Sequence, residues 1–488
     1  MDTTPQDEDR TPPEPTDDLV TTSHTLTVKR RKLNYTATTG RVVLRKEVVT
    51  DGKFDGHVPK AEVFLTAYTL DDADPTQRPV TFAFNGGPGS SSVWLHLGLF
   101  GPRRVVSGDA GDLAPPPYSV VDNPESLLAH SDLVFIDPVG TGYSRAAKNE
   151  KPGDYHGFEA DIESVGEVIR LWTTRNGRWL SPKFIAGESY GTTRAGGLAY
   201  HLQHRHGMYL NGLIMISAVL DFASLDFTKG NDLPFSTFLP TYAAIAHYHG
   251  LLGDRPLADV LAEAEEFAGR DYPWALSQGH RLPEEQRAAT VAKLASLTGL
   301  SEDYIDRVDM RVEHVRFYTE LLRHRRQIVG RLDGRFTGWD PDYGREHWEN
   351  DPSFTAITGA YTAALNHYLR AELEYPNDLP YEVLNESANE GWSFKEFENS
   401  HVTVTDKLAA AMRANPHLKV HVASGYTDGA TPYYATEHVL AHLQLPAELR
   451  SNIEVAYYEA GHMMYAHEPS RLQQSKDIAE FVRSASNR

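Results

Sequence analysis

Gly187-Glu188-Ser189-Tyr190-Gly191 sets a serine between two glycines, directly after the apolar run Phe184 to Ala186 and directly before a helical pattern. A nucleophilic serine needs that placement. A sharp strand-to-helix turn exposes its hydroxyl, and the helix N-terminus favours negative charge beside it. Such a hydroxyl also needs a general base, and the base needs an acid to orient it. Asp428, in GYTDGATP, follows the apolar run Leu418 to Ala423, and His462, in EAGHMMY, follows Ile453 to Tyr458. Singly, Asp428 also reads as a turn residue beside Gly429, and His462 as a surface histidine. The last requirement is a pair of backbone N–H donors for an oxyanion. Tyr190 offers the position after the serine, and Asn85-Gly86-Gly87-Pro88-Gly89-Ser90-Ser91-Ser92, at the end of Val80 to Phe84, offers a Gly-rich loop for the second. As a phosphate loop this stretch fails, because no Gly-Lys-Ser/Thr follows.

These residues need a sheet to hold them. Short apolar runs (Val80 to Phe84, Leu133 to Ile136, Phe184 to Ala186) each end in Gly, Asn, Pro or Asp, and Ile162, Val165, Ile169 and Trp172 recur at helical spacing between the last two. Strand, loop and helix signals resume near Val404. Thr403 with Asp406 resembles a capping box, and Thr431 with Pro432 resembles an N-cap and first helical position. The pattern predicts an α/β fold with a mostly parallel sheet covered by helices. The order Ser, Asp, His, each on a loop after a later strand, is the order of α/β-hydrolases. Ser189 and Asp428 are 239 positions apart, whereas Asp428 and His462 are 34 apart. Two strand-helix units need roughly 60 to 80 residues, so about 160 are surplus. The expected organisation is a disordered acidic tail over 1–24, a first core part over 25–222, an inserted, mainly helical cap over 223–400 and a second core part over 401–488.

Composition narrows the classes. The 488 residues are 40% hydrophobic and 23% charged, as in ordinary globular proteins. With 47 basic against 67 acidic residues the formal charge is −20, which argues against nucleic acid or an anionic membrane as partner. No cysteine is present, so disulfides, zinc thiolates and thiol nucleophiles are excluded, and a cytoplasmic location is expected. The start, MDTTPQDEDRTPPEPTDD, has no signal-peptide pattern, and the longest strongly apolar run, Gly212 to Leu220, is too short to span a membrane. His201, His204 and His206, His247 with His249, and His438 with His442 form no H-E-x-x-H motif, so neither a metal nor another cofactor is expected. Lys29 to Lys32 and Arg323 to Arg326 read as solvated edges or helix faces. Most of Trp274, Trp339 and Trp348 are expected in ordinary core packing.

NGGPGSSS, GESYG, the Asp in GYTDGATP and GHM together resemble the serine carboxypeptidase family of α/β-hydrolases, here as a bacterial-type, cysteine-free member. The resemblance covers both core parts and none of the cap. It implies Ser189 as nucleophile, His462 as general base and then acid, Asp428 as its orienter, and Gly87 and Tyr190 as oxyanion donors. It also implies that Asn85 and a protonated Glu188 hold the substrate's C-terminal carboxylate. Three departures stand out: Leu99 replaces the family's glutamate two residues before Gly101-Pro102, Ala83 replaces its tryptophan, and Ser90 replaces its cysteine. Without a second carboxyl nearby, Glu188 should ionise more readily and repel a carboxylate. Arg103 or Arg104 is then a candidate to bind that carboxylate instead, the alternative being that both are solvated surface charges.

The activity so implied is a serine-type exopeptidase that releases C-terminal residues of a peptide or small acyl substrate through an acyl-enzyme. An esterase, an acyltransferase or an aminopeptidase-like hydrolase would use the same machinery. A non-catalytic binding protein on this scaffold predicts a damaged triad or oxyanion loop, and neither is seen. The sequence carries no signal for oligomeric state.

Overall fold

The computed structural model describes residues 14–486. Nine strands lie side by side in the main sheet: β1 (Asp18–Val28), β2 (Arg31–Thr50), β3 (Lys53–Leu70), β4 (Val80–Phe84), β5 (Asp132–Ile136), β6 (Lys183–Ser189), β7 (Gly212–Ala218), β8 (Lys419–Gly425) and β9 (Ile453–Tyr458). Their spatial order is β1-β2-β3-β5-β4-β6-β7-β8-β9, and the short strand Arg145–Ala146 pairs with β3. From β5 to β9 all neighbours are parallel, while β1, β2 and β3 form an antiparallel edge. This is the α/β-hydrolase architecture.

The inner parallel strands read as largely apolar runs because both faces are covered. Every residue of β4, β5 and β7 is buried. On one face Phe82, Phe84, Val134, Ile185, Leu213 and Val420 pack under α1 (Phe158–Arg175), α2 (Tyr190–His206) and the helix Thr405–Ala414. Ile162, Val165, Ile169 and Trp172 are the buried stripe of α1, as their spacing predicts. On the other face Ala83, Phe135, Phe184 and Ile214 meet Ile478 and Phe481 of the last helix, Glu468–Ser486.

The acidic tail expected over 1–24 needs correcting at its end. Residues 1–13 lie outside those described, but Asp18 onward is ordered, because Asp18 to Val28 pairs residue for residue with β2. The β2–β3 hairpin turns at Asp51-Gly52, both at positive φ (50° and 75°). An Asp-Gly pair between two extended stretches is the sequence cue for such a turn.

Between β7 and β8 the chain leaves the sheet and returns. The helices Leu233–Tyr248, Leu257–Gly269, Glu284–Thr298 and His314–Glu320 bury Phe238, Tyr242, Ile245 and Phe317 in a core of their own. The later part of this stretch behaves differently. Helix α3 (Pro352–Ala371) packs on the main core, with the Phe354 and Tyr361 rings 5.8 and 4.8 Å from that of Trp94. Isolated bridges then tie Glu382 to Gly142, Leu384 to Ser90 and Ser393 to Gly157. Of Trp274, Trp339 and Trp348, most of which were expected in the core, two are at the surface: Trp339 is 84% and Trp274 49% exposed. Among the described residues no helix is long and apolar enough to cross a membrane.

Candidate active site

The loops of interest leave the C-terminal ends of parallel strands, where clefts form in open α/β sheets. Strand β6 ends at Ser189, whose φ of 59° and ψ of −131° turn the chain abruptly into α2. The strain is tolerated because the flanks are glycine. A Cβ on Gly187 would lie 2.2 Å from the Gly191 carbonyl oxygen, and one on Gly86 would lie 2.5 Å from the Tyr190 nitrogen. The elbow and the Gly-rich loop therefore press together backbone to backbone, which brings Gly87 and Tyr190 to the same turn as Ser189.

A buried ion pair locks that junction. Arg194 of α2, fully buried, donates to Asp161 of α1 at 2.7 Å and to the Asn85 carbonyl at 2.6 Å. Asp137, after β5, accepts from the Ser92 amide at 2.8 Å and the Ser92 hydroxyl at 2.7 Å. Ser90, in the position of the family cysteine, accepts from the Trp94 indole at 2.9 Å.

Asp428 and His462 meet as their order predicts. His462 Nδ1 lies 2.8 Å from Asp428 Oδ2. The other lone pairs of Asp428 are filled by the amides of Ala430 and Thr431 (2.8 and 2.9 Å) and the Thr431 hydroxyl (2.7 Å). Thr431, expected to cap the next helix, is thus spent on Asp428. The Thr403–Asp406 box is displaced likewise: the helix starts at Thr405, with no side-chain cap from Val404 before it. Burial opposes charge on His462, but Asp428 and its hydrogen bond outweigh it, with Glu188 adding, so the imidazole pKa is raised.

The insertion holds both loops. Asp333 accepts from the Thr427 hydroxyl at 2.9 Å and from the Gly461 amide at 3.1 Å, and the Leu332 carbonyl accepts from the His462 amide at 2.6 Å. Neither Asp333 nor Leu332 belongs to a motif, and sequence reasoning missed them, as it missed Arg194 and Asp161.

Glu188 is 3% exposed and faces Asn85, which donates to it at 2.9 Å. Asn85 is itself fixed, accepting from the Leu95 amide at 3.1 Å. The second Glu188 oxygen accepts from the Tyr465 hydroxyl at 2.7 Å. Burial pushes the Glu188 carboxyl up to about 7, against the pull of His462, Tyr465 and Asn85. Leu99 supplies no second carboxyl, yet burial, with the Asp428 carboxylate adding, still holds Glu188 above the usual carboxylate range. The two candidate arginines are elsewhere. Arg103 pairs with Asp122 at 2.6 Å and Glu372 at 2.9 Å, and Arg104 lines a separate polar cavity beyond Tyr361 and Tyr465.

Ser189, His462, Glu188, Asn85 and Gly87 open into one cavity of about 420 Å³. Trp94, Phe354, Leu384 and Met463 give it an apolar lining, and Arg331, Asp351, Glu386 and Glu390 line it from the insertion. Among the described residues no group of three or more His, Asp or Glu side chains is arranged to hold a metal ion. His247 and His249 instead bond the carbonyls of Arg255 and Gly334.

A serine on a strained strand-to-helix turn, with an Asp–His pair on two later loops, defines an α/β-hydrolase with a serine-hydrolase type of site. The profile described as "Serine carboxypeptidase" matches residues 59–468, and the chain belongs to that family. Among curated relatives, "Serine carboxypeptidase-like 36" of Arabidopsis thaliana is 30% identical over 172 residues, covering 34% of this chain and 33% of that protein. The "Lysosomal protective protein" of Mus musculus is 29% identical over 184 residues, 37% of this chain and 34% of that protein. The matched stretches thus span about a third of these relatives. A crystal structure of Kex1(Δ)p, a prohormone-processing carboxypeptidase from Saccharomyces cerevisiae, aligns over 92% of this chain and 91% of its own with a TM-score of 0.58. Its 14% identity makes this a likeness of fold.

Proposed function

We propose that the protein is a serine carboxypeptidase that releases C-terminal residues through an acyl-enzyme. The observation that carries this reading is the buried Glu188–Asn85 pair beside Ser189 in one cavity. A hydrolase of internal bonds or simple esters needs no such buried carboxyl. A neutral Glu188 and the Asn85 amide offer hydrogen bonds to a terminal carboxylate, so only a chain end is held in register.

The chemistry runs in two halves. His462 takes the proton from Ser189 Oγ as that oxygen attacks the last peptide carbonyl. The oxyanion is met by the Gly87 and Tyr190 amides. The C–N bond breaks as His462 passes the proton to the leaving amine, which departs as the free C-terminal amino acid. Water then attacks the ester, giving a proton to His462, and Ser189 regains its proton as the shortened peptide leaves. Asp428 holds the imidazole with Nδ1 protonated and stabilises its charge.

The test compares an N-blocked dipeptide with a free C-terminus, its amide and its ester from pH 4 to 9, with Ser189→Ala as control. Ser189-dependent release of the free amino acid, with the amide slow, is the expected result. Turnover of the ester alone would replace this reading with an esterase. The lack of cysteine supports a cytoplasmic location; recovery of the protein outside the cytoplasm on cell fractionation would end that part.

A further inference from the structure

Arg331 lines the same cavity as Ser189 and His462, and it is the one lysine or arginine among the described residues that does so. Among the described residues its guanidinium has no ion pair within 4.0 Å and no hydrogen-bond partner, whereas most arginines around the site are committed. The acid beside it is occupied. Asp351 accepts from the backbone amides of Arg331 and Leu332, both at 3.1 Å, and from that of Ser353 at 2.9 Å, where it caps α3. Arg331 is therefore held by its backbone, while its guanidinium is left without a direct protein partner among the described residues.

Position gives that charge a use. The Leu332 carbonyl accepts from the His462 backbone amide, so Arg331 is one residue from a direct main-chain contact with the residue whose imidazole hands its proton to the leaving amine. In an amino acid the α-carboxyl carbon is two covalent bonds from that nitrogen, and an acidic side chain begins at the same Cα. The leaving residue's carboxylates thus travel on the His462 side. Glu386 and Glu390 also line the cavity and disfavour anions near them. After burial and the carboxylates of Asp428 and Glu188, Arg331 also acts on His462, opposing its protonation.

We propose that Arg331 is a specificity determinant that binds a carboxylate of the leaving residue, either its α-carboxylate or an acidic side chain. The inference rests on the carboxypeptidase reading. It places from the insertion the guanidinium that the sequence suggested at 103 or 104, and it gives the site a permanent cation where Glu188 supplies a donor only while protonated.

The test measures kcat and KM for N-blocked dipeptides ending in Leu, Leu-amide, Glu and Gln, on wild type, Arg331→Ala, Arg331→Lys and Arg103→Ala. If the α-carboxylate is bound, Arg331→Ala lowers the Leu to Leu-amide ratio of kcat/KM about tenfold to a hundredfold, mainly through KM. If the side chain is bound, the Glu to Gln ratio falls by that factor and the Leu to Leu-amide ratio holds. In either case Arg331→Lys restores part of the loss, and Arg103→Ala keeps wild-type ratios. Both ratios unchanged in Arg331→Ala, in an enzyme that still releases C-terminal Leu, overturns the role of Arg331 alone. A wild type that releases no C-terminal residue and resists a fluorophosphonate overturns the carboxypeptidase reading and this inference together.

Discussion

One wall of the cavity is built by loops continuous with buried parallel strands, and the other by residues that enter from the insertion. On the core wall Asn85 is paired with Leu95 and Glu188, and Arg194, outside the cavity lining, is paired with Asp161 and the Asn85 carbonyl. On the insertion wall the Arg331 guanidinium is left unpaired among the described residues, with only backbone held in place. The difference separates two jobs. A group whose partners are all protein sets geometry, and removing it disturbs the fold and the chemistry together. A group without a protein partner is available to a ligand, and removing it should alter selectivity first.

The largest test of this contrast is at the elbow. Ser189→Ala should lower kcat by about 10⁴-fold or more for any acyl substrate while leaving the far-ultraviolet circular dichroism unchanged. Next comes the lock beneath it. Arg194→Met leaves Asp161 charged and unpaired in the core, so unfolding in urea should show a loss of about 3–5 kcal/mol. A midpoint equal to wild type would break the claim that this wall is structurally committed.

The pH profile sharpens the comparison at a third point. Glu188, raised to about 7 by burial, is neutral below that value and charged above it. KM for free-acid substrates should therefore be lowest on the acid side and climb by up to about tenfold per pH unit above 7. Glu188→Gln should flatten that limb, and a wild-type KM independent of pH would remove Glu188 from carboxylate binding. Tyr465→Phe should have a smaller effect. Its hydroxyl pulls the Glu188 pKa down, so its loss should move the midpoint upward and change KM about fivefold or less. Within the insertion, Trp339→Ala should stay within about 0.5 kcal/mol of wild type in the same urea experiment, because the ring is 84% exposed.

Legibility followed the range of the contacts. The strands at Val80 to Phe84, Leu133 to Ile136 and Phe184 to Ala186 were readable because strands covered on both faces are apolar throughout. The elbow and the Asp428 and His462 loops were readable because each sits within a few residues of a strand end. Glu188 was readable as a group but not in its titration, since burial is set by residues far away in sequence. Tyr465, three positions after His462, carried no signal that it would meet Glu188. Asp161 with Arg194, and Asp333 with Thr427 and Gly461, join distant parts of the chain, and one sequence gives no means of pairing them. The first strand was hidden by its neighbourhood, because an acidic, proline-rich start runs into Asp18 with no break in polarity.

The double hydrogen bonding of Asp333 bears on how such a molecule can be re-engineered. That carboxylate spans the turns before Asp428 and His462, so the insertion is a fastener as well as a roof. Excising residues 233 to 351 and bridging the gap would leave the amide of Gly461 and the hydroxyl of Thr427 without an acceptor. A chimera that borrows a different roof for new selectivity must therefore bring its own carboxylate to that spot, or the two loops will no longer be set at a fixed distance.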